Sequence, residues 1–248
     1  VGTYIVVPCY NEETRLDPEA YMSWLAATPH VGIVFVDDGS TDGTRKLLAQ
    51  LVDAAQGAAS LVTREQNEGK AEAVRSGVLW CLRETQARYV GYWDADLSTP
   101  LDELPRFLDV LEDTENGVEC VLGCRLKRLG ADVRRRHWRH YLGRVFATAA
   151  SMVLRLGVYD TQCGAKLMTR RVAEAAFAAP FLSTWVFDVE IIARLTRDLG
   201  RERLTTLIHE LPLRKWSAVP GSKVKMIHGL GVPLQLLRIA YHYRCRKV

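Results

Sequence analysis

The chain has 248 residues, of which 48% are hydrophobic and 25% charged, with a formal net charge of +4. This composition is ordinary for a globular protein, and it excludes a disordered chain and a repeat array. No run of about 18 apolar residues occurs, so the sequence predicts no membrane-spanning helix. The length favours a single large α/β domain, with two small domains as the alternative.

Six cysteines are scattered without the paired spacing of a zinc site, and six histidines form no H-E-x-x-H pattern. Several of the cysteines lie inside apolar runs, where thiols pack as small hydrophobic groups. We therefore expect free thiols, a reducing compartment and no zinc site built by the protein alone.

The first half of the chain alternates short apolar runs with helical patterns. We predict four buried strands, at residues 4–7, 32–36, 60–63 and 89–93. Apolar residues at helical spacing follow a cap predicted at Thr41 or Asp42, and a second helix is predicted after Gly69. This order is typical of βαβ units around a mainly parallel sheet with helices on its faces.

The second half is less regular. The predicted elements are a strand at 120–125, helices at 137–156 and 186–199, and an amphipathic segment at 225–246 that Pro233 interrupts. Basic residues crowd the stretch from Arg125 to Arg144 and the last eleven residues of the chain.

Polar residues follow each predicted strand of the first half, at 8–12, 37–41, 67–70 and 94–98. In open parallel sheets, ligands bind at the carboxyl ends of the strands. The sequence therefore predicts a binding site where these four segments meet.

Asp94 and Asp96 flank Ala95 directly after the fourth predicted strand. Side chains in extended chain repeat every two residues, so both carboxylates can face one crevice. Mg²⁺ or Mn²⁺ prefers such hard oxygen ligands and completes its shell with substrate phosphates and water. The alternative is that both aspartates only cap the following turn, and an isolated D-x-D pattern would favour that alternative.

A second polar segment, 37–44, has the composition of a nucleoside-binding turn, because a carboxylate can accept a hydrogen bond from a base N–H. A glycine-rich turn with a helix cap is the alternative. Lys70, at a predicted helix N-terminus, could meet a phosphate or could simply be solvated.

Eight motifs occur in an order that resembles the family-two glycosyltransferases of the GT-A fold, most closely the dolichyl-phosphate glucosyltransferase branch, with the dolichyl-phosphate mannose synthases as relatives. The resemblance covers nearly the whole chain. The motifs are Pro8-Cys9-Tyr10-Asn11-Glu12-Glu13, Val36 to Asp42, Asn67 to Lys70, Asp94-Ala95-Asp96, Gly123-Cys124-Arg125, Asp160 to Leu167, Phe187-Asp188-Val189-Glu190 and Gly221-Ser222-Lys223.

The resemblance implies a single α/β catalytic domain, with a Rossmann-like mixed sheet, in which residues 1–116 bind a nucleotide sugar and residues 117–248 bind an acceptor. It implies inverting transfer of glucose from UDP-glucose to a polyprenyl phosphate, with Mg²⁺ or Mn²⁺ on Asp94 and Asp96. The implied donor-binding residues are Pro8, Tyr10, Asn11, Glu12, Asp37, Asp38, Gly39, Lys70, Asp94, Ala95 and Asp96. The implied phosphate-gripping residues are Arg125, Arg139 and Lys223.

A phosphate acceptor would need no strong general base, because a phosphomonoester is already largely dianionic at neutral pH. An acceptor hydroxyl would instead need a carboxylate such as Asp188 to remove its proton. Asp188 and Glu190 could also serve only to complement a helix N-terminus.

The basic segments adjoin apolar helical residues and few aromatic ones, which favours a membrane surface over nucleic acid. We therefore expect a peripheral protein on the cytoplasmic face of a membrane, with no nucleic-acid partner. The remaining alternatives are a transferase that acts on a hydroxyl, a mannosyltransferase that uses GDP-mannose, and a nucleotide-sugar-binding module without turnover.

Overall fold

The structure is a computed structural model that describes residues 2–134, 137–219 and 231–244. Its strands are β1 (Thr3–Cys9), β2 (Val31–Asp38), β3 (Ala59–Arg64), β4 (Tyr89–Trp93), β5 (Cys120–Cys124), β6 (Asp132–Arg134), β7 (Ala165–Thr169), β8 (Ile208–Pro212) and β9 (Lys215–Ser217). Its helices are α1 (Pro18–Ala27), α2 (Thr44–Ala54), α3 (Lys70–Glu84), α4 (Leu104–Glu112), α5 (His137–Leu154), α6 (Arg170–Phe177), α7 (Phe187–Leu199), α8 (Arg201–Leu207) and α9 (Val232–Arg244).

Within the described residues, a seven-stranded sheet has the order β3-β2-β1-β4-β7-β5-β8, and β6 pairs with β9 in a separate ribbon. The pairs β1–β2, β1–β4 and β2–β3 are parallel. Strand order therefore reverses at β1, whose neighbours are β2 on one side and β4 on the other. Such a reversal opens a crevice at the carboxyl ends of the two central strands, where ligands bind in open α/β sheets.

The chain divides into two compact units. The first unit is Val1–Leu97 with Leu167–Pro180, and the second unit is Ser98–Lys166 with Phe181–Val248. A single catalytic domain whose halves divide near residue 117 stays a prediction.

The core of the first unit explains how the polar residues at the ends of its strands are positioned. All eight residues of β2 are buried, as expected for a strand covered on both faces. Helix α3 lies against β1 and β2, and a Cβ on its Gly77 would be 2.3 Å from Val6 Cγ1 and 2.8 Å from Val36 Cγ2. Glycine therefore allows the close approach that brings the start of α3 to the sheet.

The second unit contains the parallel pair β5–β8, with α4 packed against β5. Helices α5 and α7 each pack against α9. Among the described residues, no helix is both long and apolar enough to cross a lipid bilayer.

The four strands predicted in the first half are confirmed, as are the helices of the second half within the described residues. Helix α5 ends at Leu154, two residues earlier than predicted, because Arg155 adopts a left-handed backbone with φ of 53°. Pro233, predicted to interrupt the last amphipathic segment, lies in the first turn of α9, where its missing N–H costs nothing. Residues 225–230 of that prediction lie outside the described residues.

The predicted cap of α2 is also wrong, because the N-cap is Gly43 and makes no side-chain cap bond. The Asp42 carboxylate nevertheless accepts the Thr44 N–H at 3.0 Å. Burial alone would raise the pKa of Asp42, but its hydrogen bonds with Thr44 and the Glu13 N–H lower it.

The cysteines in the described part of the chain are free and buried, in agreement with the sequence. They are Cys9, Cys81, Cys120, Cys124 and Cys163. Burial raises the pKa of the Cys81, Cys120 and Cys124 thiols to about 12 and that of Cys163 to about 11. These thiols therefore stay protonated at neutral pH and act as packing groups. Cys245 lies outside the described residues.

Helix α1 fixes the loop that follows β4. It begins at Pro18 after the Asp17 cap, whose carboxylate accepts the Ala20 N–H at 3.0 Å. Its Tyr21 is fully buried, packs edge-on against Phe35 and donates its hydroxyl to the Ala95 carbonyl at 3.2 Å. Burial raises the pKa of Tyr21 well above its ordinary value, so the hydroxyl remains a donor.

Replacing Tyr21 with Phe should lower the free energy of unfolding by about 1–3 kcal/mol, because the Ala95 carbonyl would lose its buried donor. Urea denaturation measures the change. Tyr241, whose side chain is exposed, provides the matched control, and Tyr241→Phe should change stability by less than about 0.5 kcal/mol. Equal stability of the two variants would contradict this role of Tyr21.

Candidate active site

The segment Asp94-Ala95-Asp96 follows directly on β4, whose last residue, Trp93, is buried. The chain then turns, with the Leu97 N–H donating to the Asp94 carbonyl at 3.2 Å and Leu97 at φ of 51°. A non-glycine residue in this left-handed region is strained, and such strain concentrates at functional sites. The side chains of Asp94 and Asp96 are 36% and 20% exposed, so both carboxylates reach solvent.

Asp94 is paired with Lys70, the first residue of α3, at 2.5 Å between Nζ and Oδ1. The N-cap of this helix is Gly69, which has φ of 95° and makes no side-chain cap bond. The helix therefore presents the positive end of its dipole at this point. Lys70 thus lies beside the predicted metal ligand, with a helix N-terminus behind it.

Asp96 is paired with Arg15, whose Nη2 lies 2.9 Å from Asp96 Oδ2. The Nη1 of the same guanidinium lies 3.1 Å from Glu12 Oε2. The backbone N–H of Glu12 donates to Thr44 Oγ1 at 2.7 Å, which fixes this loop to the start of α2. Arg15 lies outside the predicted motifs, although its spacing of three residues from Glu12 is a signal for an ion pair within one turn.

The end of β1 is tied to the loop after β2. Asn11, at φ of 49°, donates its N–H to Ser40 Oγ at 3.0 Å and accepts the Thr41 N–H at 2.8 Å. Pro8 and Tyr10, on either side of the strand's last residue, are half-buried. The two predicted nucleoside-binding segments therefore lie next to each other.

Asp37 is fully buried and holds the loop after β2 in shape. Its carboxylate accepts the Ser40 N–H at 3.1 Å and pairs with Arg45 Nε at 2.8 Å. Gly39 has φ of 68°, and a Cβ there would lie 2.5 Å from the backbone carbon of Gln66. Only glycine fits this close approach between two loops.

Asp38 is also buried, and its carboxylate accepts the N–H groups of Glu68 at 3.2 Å and Gly69 at 2.8 Å. Arg64 Nε lies 3.1 Å from its Oδ1. Burial raises the pKa of Asp38, and these donors offset part of that effect. Asp38 therefore links β2 to the loop that precedes α3.

In the second unit, Arg125 forms a two-point ion pair with Asp160, with Nε–Oδ2 and Nη2–Oδ1 distances of 2.7 Å. Its guanidinium carbon also lies 5.5 Å from the ring centre of Trp216. Glu210 accepts the N–H groups of Tyr159 and Asp160 at 2.8 Å each. Arg125 is thus held in one orientation at the end of β5.

Asp188 contacts Lys166, a lysine with 0% exposed surface, at 2.5 Å. The same ammonium donates to the carbonyls of Thr161 at 3.0 Å and Cys163 at 2.7 Å. A buried ammonium requires such partners. Asp188 therefore stabilises the turn before β7 through Lys166. This contact gives no evidence that Asp188 acts as a general base.

Glu190 is buried and accepts the N–H of Leu182 at 2.9 Å, Arg194 Nη2 at 3.1 Å and the Tyr243 hydroxyl at 2.8 Å. This carboxylate joins α7 to α9 and to the loop before α7. The contacts give Glu190 a structural explanation that goes beyond charge complementarity at a helix N-terminus.

The turn before β7, which begins the motif Asp160 to Leu167, holds two buried polar atoms. Thr161 Oγ1 and Gln162 Nε2 are buried and have no hydrogen-bond partner among the described residues. Buried polar atoms are normally satisfied, so a ligand or a water is the expected partner. No sequence pattern marks such an unsatisfied atom in advance.

Two of the residues predicted to bind phosphate, Arg139 and Lys223, have side chains outside the described part of the structure. Arg139 lies in the first turn of α5, where the structure describes the backbone only. Lys223 lies outside the described residues. Of the predicted site, the structure therefore brings together the donor-binding residues of the first unit, and it places Arg125 and Asp188 in the second unit.

Residues 4–177 of the chain match the model of glycosyl transferase family 2. The chain is 29% identical to a dolichyl-phosphate beta-glucosyltransferase of Dictyostelium discoideum, over 96% of this chain and 74% of that protein. It is 30% identical to dolichyl-phosphate beta-glucosyltransferase ALG5A of Trichomonas vaginalis, over 97% and 73% of the two chains. The mouse dolichyl-phosphate beta-glucosyltransferase is 27% identical, over 96% and 75%.

Among solved structures, the fold is similar to that of Mycobacterium tuberculosis glucosyl-3-phosphoglycerate synthase. The crystal structure of that protein with Mn²⁺ and UDP-glucose has a TM-score of 0.69, 19% identity, and coverage of 99% of this chain and 80% of that chain. Its UDP complex has a TM-score of 0.65 and 21% identity, over 96% and 79%. These similarities confirm the predicted GT-A fold. The family match shows that the chain is an enzyme and that it belongs to glycosyl transferase family 2.

Proposed function

We propose that this glycosyltransferase moves glucose from UDP-glucose to a polyprenyl phosphate. The proposal depends mainly on one observation. Asp94 and Asp96 follow β4, the strand next to β1, where the strand order of the sheet reverses, and a basic side chain contacts each aspartate. The names of the curated relatives supply the sugar and the class of acceptor.

The residues after β4 suit Mg²⁺ or Mn²⁺. Among the described residues, no group of three or more His, Cys, Asp or Glu side chains could hold a metal by itself. Two carboxylates with substrate phosphates are nevertheless a common arrangement for these hard cations, and Asp94 and Asp96 provide that pair. When bound, the cation would neutralise charge on the departing nucleoside diphosphate.

The remaining donor residues would bind the rest of UDP-glucose. Pro8, Tyr10 and Asp38 border the proposed nucleoside site, and Asn11 and Gly39 keep the two loops together. Lys70 and the N-terminus of α3 would stabilise the diphosphate, because a helix N-terminus and an ammonium both favour negative charge.

For the acceptor, a phosphate is favoured over a hydroxyl. The Asp188 carboxylate is contacted by the buried Lys166, whereas a general base must be within reach of the proton that it removes. A phosphate acceptor needs no such base, since it is already ionised. Arg125, Arg139 and Lys223 are the proposed cations for its charge.

We further propose that the second unit lies on the cytoplasmic face of a membrane. Leu234, Leu237 and Tyr241 are 71%, 64% and 71% exposed and recur along one side of α9. Val145 and Met152 on α5, which packs against α9, are also exposed. Exposed apolar side chains on basic helices are typical of peripheral attachment to membranes.

The transfer assay uses a polyprenyl phosphate in lipid vesicles, UDP-glucose and Mn²⁺. The protein should form the glucosyl lipid, and Asp96→Asn should slow transfer by more than about a hundredfold, since the metal contributes several kcal/mol of charge stabilisation. Asp198→Asn, which removes a surface carboxylate paired with Arg197, should leave the rate unchanged.

Three outcomes would replace the proposal. Transfer to a soluble alcohol but not to the lipid phosphate would indicate a hydroxyl acceptor. Activity with GDP-mannose alone would indicate a mannosyltransferase. Binding of UDP-glucose without turnover would indicate a binding module.

Membrane attachment is tested by co-sedimentation with vesicles that contain anionic lipid. The double variant Leu234→Gln/Leu237→Gln should bind at least about tenfold more weakly, because two apolar side chains no longer leave water. Ala26→Gln, at an exposed position of α1 in the first unit, is the control and should bind like the wild type. Equal binding of all three proteins would contradict attachment through α9.

A further inference from the structure

Arg15 and Lys70 both contact an aspartate after β4, but their surroundings differ. The Lys70 side chain is 33% exposed and pairs with Asp94. Arg15 is 15% exposed and lies between two carboxylates, those of Glu12 and Asp96. Lys70 is therefore the more exposed of the two basic side chains, whereas Arg15 is enclosed by its two partners.

The segment that carries Arg15 is fixed by hydrogen bonds. The N–H groups of Arg15 and Leu16 donate to the Glu12 carbonyl at 2.9 and 2.8 Å. The Glu12 N–H donates to Thr44 Oγ1, and Thr44 in turn is held by Asp42. The backbone of Arg15 thus belongs to a closed turn, and its guanidinium is held between Glu12 and Asp96.

Arg15 can act on a bound cation in two opposite ways, and the way in which Arg15 is held decides between them. As a nearby positive charge, Arg15 would repel a metal at Asp96. As a fixed donor, it holds one oxygen of the carboxylate, and a carboxylate with two oxygens can serve a guanidinium and a metal together. Without Arg15, Glu12 and Asp96 would face each other as like charges, which drives them apart.

We propose that Arg15 is a positioning residue that orients Asp96 for the divalent cation, with Glu12 as the anchor that holds Arg15 in place. The inference rests on the metal site proposed above. It gives Glu12 a different role from the donor contact that the resemblance implied: Glu12 acts on the metal site through Arg15.

The test is Mn²⁺ binding to the full chain, measured by the loss of the EPR signal of free Mn²⁺ on adding protein together with an equimolar amount of UDP. A blank with the same UDP and no protein corrects for Mn²⁺ that UDP binds in solution. Arg15→Gln should weaken Mn²⁺ binding by about 10- to 100-fold, the usual effect of losing a partner of a metal ligand. The Mn²⁺ affinity of Arg15→Lys should lie between those of Arg15→Gln and the wild type, because an ammonium keeps the charge but cannot bridge two carboxylates in the same way.

Glu12→Gln should weaken binding less than Arg15→Gln, since Asp96 keeps its contact with Arg15. The double variant should be no worse than Arg15→Gln alone, because both substitutions remove the same arrangement. Additive losses would indicate that Glu12 acts independently of Arg15.

Arg75→Gln is the matched control for a purely structural loss. Arg75 is on α3 in the same unit, is 18% exposed, and donates to the carbonyls of Phe177 and Ala178 at 3.1 and 3.3 Å. Arg75→Gln should leave the Mn²⁺ affinity within about twofold of the wild-type value, as expected for a substitution outside the contacts that join Arg15, Glu12 and Asp96.

Two results would overturn the inference, and they are distinguishable. If Arg15→Gln bound Mn²⁺ as tightly as the wild type, Arg15 would have no effect on the metal site, and tighter binding would make it a competitor of the metal. In both cases only this inference would fail. If the wild type bound no Mn²⁺ with UDP, the proposed metal site would fail as well.

Discussion

Two carboxylates of like charge stand two residues apart after β4, and this part of the structure depends on the cations that hold them. Lys70 reaches Asp94 from the start of α3, and Arg15 reaches Asp96 from the loop after β1. Without these partners, the carboxylates would repel each other. With them, the two carboxylates are held in the arrangement that we propose for binding a divalent cation together with a diphosphate.

The fold of the first unit serves that arrangement. The order of the sheet places β4 next to β1, so the loops that carry Arg15 and Asp96 are neighbours although 81 residues separate them. Gly77 allows α3 to lie close to the sheet, which brings Lys70 to the same edge. Tyr21 holds the carbonyl between the two aspartates. Packing and electrostatics therefore act on one short segment.

The strands and the polar strand ends of the first unit were predictable, because apolar runs and their order dictate a parallel sheet whose carboxyl ends share an edge. The partners of the motif residues were not. Arg15 and Glu210 act through contacts between distant segments, and a buried lysine such as Lys166 is unlike the exposed position that lysine usually takes. Asp37 and Asp188 are motif residues, yet their contacts hold loops in shape, which a motif alone does not distinguish from ligand binding.

The most direct test is a crystal of the protein grown with UDP and Mn²⁺, with data collected at a wavelength where manganese scatters anomalously. The account predicts an anomalous peak about 2.1 Å from a carboxylate oxygen of Asp96 and within reach of the diphosphate, with Arg15 still in contact with Asp96. A peak elsewhere, or bound UDP with no peak beside Asp94 and Asp96, would contradict it.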